Sequence, residues 1–119
     1  MRTLLPRERP LVAFLYREAA LTTDLDSVQV EPMCDGGMGS LRIAPFESVR
    51  AFDRIAAECH YLDADDVPVS VALNVDSDDV PLELDIWKVD FSPTLSWPER
   101  GAIHAGPPIV RASAEQSGQ

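Results

Sequence analysis

The stretch that most constrains the fold is Val80 to Phe91, VPLELDIWKVDF. Leu82, Leu84 and Ile86 alternate with Glu83 and Asp85, and then Trp87, Val89 and Phe91 alternate with Lys88 and Asp90. Apolar residues at every second position mark a half-buried strand. The phase reverses between Ile86 and Trp87, which predicts a β-bulge, a strong twist or a change of packing environment there. On this reading Trp87 joins the apolar packing. Lys88, the only lysine of the chain, passes to the side held earlier by Ile86, where it is exposed and has a modest salt bridge to one of the surrounding acids.

The neighbours of this strand carry the same signal. Val67, Val69, Val71, Leu73 and Val75 alternate through VPVSVALNV, and their small partners Pro68, Ser70, Ala72 and Asn74 leave the second face nearly uncharged. Residues 52–63, FDRIAAECHYLD, fit both periodicities. The acidic turn Asp63–Asp66 and the strand that follows favour a strand from about Ala56, with Ile55, Ala57, Cys59 and Tyr61 inward. Residues 56–91 then form a three-stranded antiparallel meander. Upstream, Ser27–Met33 and Ser40–Ala44 read as a hairpin around Cys34-Asp35-Gly36-Gly37-Met38-Gly39, whose glycines suit a turn that needs positive φ. Residues 45–56 stay open between loop, helix and strand.

At the N-terminus, residues 4–21 read as a helix with Leu11, Phe14 and Leu15 on one stripe. Pro10 requires that this helix start late, near Arg7, or kink. The expected fold class is α+β: an N-terminal helix packed on a four- to five-stranded antiparallel sheet, in one domain over residues 1–97. Residues 98–119 form a mostly irregular tail, and Trp97 and Ile103 are candidates to dock back on the domain.

Charge narrows the function classes. The chain of 119 residues has a formal net charge of −10. Nine of its acids lie between Asp63 and Asp90 with Lys88 as the one base, whereas the first 17 residues hold four arginines against Glu8. An acidic face of this kind repels phosphate backbones and excludes nucleic acid as the expected partner. The longest uncharged apolar run of the N-terminal region, Leu11 to Tyr16, is too short for a secretory signal of about 7–15 apolar residues or a membrane span of about 20. Two cysteines do not make a disulfide scaffold. A cytoplasmic protein with free thiols and no membrane association is expected.

Candidate chemistry is sparse. Asp76-x-Asp78 opens like a calcium loop, but Pro81 stands at position six and Trp87 at position twelve, so no metal is expected. Glu83 and Asp85 share one strand face about 6.5–7 Å apart, a spacing also found in inverting glycosidases. Without a cleft-forming insertion or sugar-stacking aromatics, a solvated acidic face is the favoured reading of them. Cys34, Cys59 and His60 lack a third orienting group for nucleophilic catalysis. The glycine turn lacks the Lys-Ser/Thr pair of a phosphate loop. No catalytic residue and no cofactor are expected. The residues that remain as candidate contacts are Glu83, Asp85, Trp87 and Lys88, with Asp76, Asp78 and Asp79 on the turn before them.

The segments LLPRERPLVAFL, DGGMGSL, VPVSVALNVD and ELDIWKVDFSP together resemble a family of small bacterial proteins of unknown function, over residues 3 to about 95. That resemblance implies a bacterial origin and no assigned activity, ligand or catalytic residue. The short, acidic, single-domain form is similar to that of many immunity proteins that neutralise bacterial toxins. Two readings follow. The first is a non-enzymatic module whose acidic strands and turns engage a basic protein partner. The second is a small-molecule-binding or enzymatic domain with a pocket on the sheet face near Trp87. A homodimer joined through exposed sheet edges or faces is a third arrangement.

Overall fold

A computed structural model describes residues 1–108. One helix lies on a seven-stranded antiparallel sheet, so the class is α+β with more strands than the sequence indicates. The strands are β1 (Arg2–Thr3), β2 (Gln29–Pro32), β3 (Leu41–Ile43), β4 (Arg54–Leu62), β5 (Pro68–Val75), β6 (Pro81–Lys88) and β7 (His104–Ala105). Their spatial order is β1-β2-β3-β6-β5-β4-β7. The expected meander is β4-β5-β6, and the expected hairpin is β2-β3, which joins it through β3 and β6. The two strands beyond expectation, β1 and β7, are two residues each. They sit at the two edges, and short edges resist further strand addition.

The helix α1 (Arg9–Glu18) starts after a 3-10 turn over Pro6–Glu8, so Pro10 falls in its first turn, where a missing N–H costs nothing. Leu11, Val12, Leu15 and Tyr16 bury the stripe that packs against β4 and β5. The helix ends in a two-bond cap: Leu21 N–H donates to Tyr16 C=O at 2.8 Å and Ala20 N–H to Arg17 C=O at 3.0 Å. Ala20 takes φ 59°, a left-handed conformation usually left to glycine.

Under the helix lies one apolar cluster: Val30, Leu41, Ile43, Cys59, Tyr61, Val69, Val71, Leu73, Leu84 and Ile86, all from one face of the sheet. Downstream of β6 the chain arches over this same face, packing Trp97 and Ile103 against it before β7 pairs with β4. The remaining tail, residues 109–119, lies outside the described residues.

β6 corrects the expected phase reversal. Its register with β5 is regular from Asn74↔Glu83 through Val71↔Ile86 to Val69↔Lys88, and the irregularity falls between Asn74 and Val75, at the other end. Leu84, Ile86 and Lys88 therefore all face the core, and Trp87 faces away. Lys88 is 1% exposed and Trp87 41% exposed, the reverse of the sequence reading. Phe91 is exposed too. The physical reason is that the long methylene stem of Lys88 fills core volume while its ammonium meets a carboxylate pair at the rim. Ile55 is also exposed rather than inward, because a bulge between Ile55 and Ala57 interrupts β4. Residues 45–53 resolve as a loop, and β4 begins at Arg54.

Candidate functional site

Two acidic clusters serve the fold. The first centres on Asp63, just past the end of β4. Its carboxylate accepts bonds from Leu95 N–H at 2.7 Å, Ser96 N–H at 2.9 Å, Ser96 Oγ at 2.8 Å and Ala64 N–H at 2.8 Å. Lys88 Nζ stands 2.9 Å from Asp63 Oδ2 and 2.7 Å from Asp65 Oδ2. Burial disfavours the charged Asp63 carboxylate. The bonds from Leu95, Lys88, Ser96 and Ala64 outweigh it and bring its pKa down to about 2. Burial likewise disfavours charge on Lys88, and Asp65 and Asp63 outweigh it, so its pKa is raised. This node pins the arch of residues 92–97 onto the core, helped by Tyr61 Oη donating to Ser96 C=O at 3.0 Å.

The second cluster is a clamp on the β5–β6 turn. Asp76 is buried, accepts from Asp78 N–H and Val80 N–H, and receives Arg50 Nε at 2.8 Å. The same guanidinium donates to the carbonyls of Ile43, Pro45, Val80 and Pro81, which ties the loop before β4 to that turn. Asp76 therefore holds backbone. Asp78 is exposed, and Asp79 is exposed and pairs with Arg54 at 2.6 Å. Among the described residues no three His, Cys, Asp or Glu side chains converge as metal ligands do.

What remains is the face of the sheet turned away from the helix. Strand parity puts Glu31 of β2, Arg42 of β3, Glu83, Asp85 and Trp87 of β6, Ser70 and Ala72 of β5, and Glu58 and His60 of β4 on it. Four carboxylates thus face one guanidinium. Arg42 lies 3.2 Å from Glu31, and Glu83 accepts from Asn74 Nδ2 at 2.8 Å. Asp85 is exposed. Desolvation, followed by the charges of Glu83 and Asp35, raises the pKa of its carboxyl. Beyond it Trp87 meets Phe91, their ring centroids 5.7 Å apart and tilted by 51°. Phe91 is 68% exposed and occupies a turn at φ 63°.

The sequence-derived candidates therefore divide three ways. Glu83, Asp85 and Trp87 share the open face. Lys88 lies on the opposite one. Asp76, Asp78 and Asp79 sit at the β5–β6 turn, where Asp76 is inside the clamp. Two hollows lie on the helix side of the sheet. One runs against α1 beside Phe14 and Leu25, and one lies beneath the glycine loop and Trp97. Neither is lined by Glu83, Asp85 or Trp87. Sequence reasoning missed Asp63, Arg50 and Phe91 as residues of consequence. The single lysine amid nine acids was the available clue to the first.

A family model described as a domain of unknown function (DUF6984) matches residues 1–98. No curated protein and no solved structure matches the chain.

Proposed function

Because the chain belongs to the DUF6984 family, whose description carries no activity, we propose from the geometry that it is a non-enzymatic binding module. It engages a basic protein partner through the open face of its sheet. The observation that carries this is the aromatic pair Trp87–Phe91, half-exposed to exposed, beside Asp85 on a face that the helix leaves uncovered. Single exposed apolar residues are ordinary, but an aromatic pair on an open sheet face supports reading it as a contact surface. Binding energy concentrates in such aromatics, with Trp and Tyr prominent among them. The excess of carboxylates over Arg42 on the same face, and the exposed Asp66, Asp78, Asp79 and Asp90 on flanking turns, favour cationic partners and speed their approach.

A toxin-neutralising role is the specific form of this reading, and a reducing cytoplasm is its natural setting. Both thiols are free, Cys34 exposed and Cys59 buried, with burial raising the Cys59 thiol to about 12. No helix among the described residues is long and apolar enough to cross a membrane.

The test uses the full chain as bait at low and high salt, beside Trp87→Ala and Asp85→Lys. The expected result is a basic protein retained at low salt, released at high salt, lost to Asp85→Lys and weakened about tenfold or more by Trp87→Ala. Binding indifferent to both substitutions contradicts the reading. Light scattering on the free protein separates it from self-association: a stable homodimer that Trp87→Ala dissociates would show that the face pairs with itself.

A further inference from the structure

The glycine loop and the arch after β6 enclose a hollow of about 430 Å³, within the range of small-molecule sites. Tyr61 and Ile86 form part of its wall, with Trp97, Leu95 and the backbone of Gly37 and Gly39 around them. It lies on the helix side of the sheet, opposite the aromatic pair, and owes nothing to the binding face described above.

Its openness depends on the loop sequence. Gly39 takes φ +99°, and a Cβ there would stand 3.6 Å from Trp97 Cζ2 and 3.8 Å from Ile86 Cδ1, between two residues that line the hollow. Gly37 takes φ +84°, and its Cβ would press on Pro93 at 3.2 Å. Side chains at these positions would fill the space or displace the arch. The loop is held by other means: Asp35 accepts from the N–H groups of Met38, Gly39 and Ser40, and Thr94 bonds the carbonyls of Gly37 and Met38.

The polar inventory of the wall sets the ligand class. The hydroxyl protons are already engaged: Tyr61 donates to Ser96 C=O, Thr94 to Met38 C=O and Ser96 to Asp63. Those oxygens retain only lone pairs. Arg7 lines the hollow and its neighbour beside Met33, and its guanidinium makes no ion pair among the described residues. It is the one charged group lining this hollow. A planar guanidinium beside a wall that mixes lone-pair oxygens with the side chains of Trp97 and Leu95 suits an anionic planar acceptor joined to an apolar body.

We propose that this hollow binds a small carboxylate carrying a flat apolar group, with the carboxylate on Arg7 and the apolar group against Trp97 and Leu95. The probes are phenylacetate and indole-3-acetate, each against its uncharged amide, titrated into the full chain and followed by amide and indole N–H chemical shifts. The acids are expected to give saturable shifts at Gly37, Gly39 and the Trp97 indole, and the amides to bind about tenfold or more weakly. Arg7→Gln, at an exposed position, is expected to erase the difference between acid and amide while the remaining resonances stay in place. Absence of saturable shifts with either acid, equal binding of acid and amide, or unchanged discrimination in Arg7→Gln would each overturn the proposal. Shifts at Trp87 and Phe91 in place of the loop would do so as well.

Discussion

Asp63 shows how one side chain can decide a local structure. It holds Lys88, two backbone N–H groups of the arch and a serine hydroxyl at once. Asp63→Ala leaves the Lys88 ammonium buried beside Asp65 alone, and is expected to cost about 3–5 kcal/mol in denaturant unfolding. The same group sets an acid limit. Its folded pKa of about 2 lies below its ordinary 3.8, so the unfolded chain takes up the proton first. The stability it contributes is present above about pH 4 and is lost as pH falls toward 2. Glu8, Asp35 and Asp76 shift in the same direction and add to the loss. Unfolding followed from pH 6 to 2 should show stability falling steeply below about pH 4, and a flat profile there would contradict the node. Ala20 offers the opposite sign. At φ 59° it occupies a glycine position, and Ala20→Gly is expected to raise stability by about 0.5–1 kcal/mol. None of this is visible locally in the sequence. Asp63 stands in a run of turn-forming acids, and its partners Leu95 and Ser96 are 32 and 33 residues away.

Secondary elements were legible in proportion to the length of their patterns. Val69, Val71 and Leu73 of β5 are buried as their alternation requires, and the β2–β3 hairpin closes around its glycines. β1 and β7 were not legible, since two residues hold no period. β6 was misread at one end, because Trp87 and Phe91 look like core and Lys88 looks like surface. In a sheet with one open face, side-chain polarity does not by itself say which face is which. The register across β5 and β6 does, and it keeps Lys88 in line with Leu84 and Ile86. The chain beyond β6 is structural too. Ile103 is buried ahead of β7, so Ile103→Ala is expected to cost about 2–4 kcal/mol and to speed amide exchange at Gly106, whose N–H donates to Glu58 C=O at 2.9 Å. Exchange at Gly106 as slow as in the wild type would mean that this segment is held independently of Ile103.

Over the whole molecule, charge and cover are unequally distributed. The helix, the arch and the glycine loop lie over one face of the sheet. The other face presents Asp85, Trp87 and Phe91 to solvent. Both the proposed binding surface and the buried node follow from the single alternation of β6, which sends Trp87 out and Lys88 in. Side-by-side denaturant unfolding of Trp87→Ala and Lys88→Ala tests this most directly. Trp87→Ala is expected to stay within about 1 kcal/mol of the wild type, as for a surface position, and Lys88→Ala is expected to be clearly the less stable of the two. The reverse order, with Trp87→Ala losing the 3–5 kcal/mol of a buried aromatic and Lys88→Ala nearly neutral, would contradict the orientation of β6 and with it the open face as a binding surface.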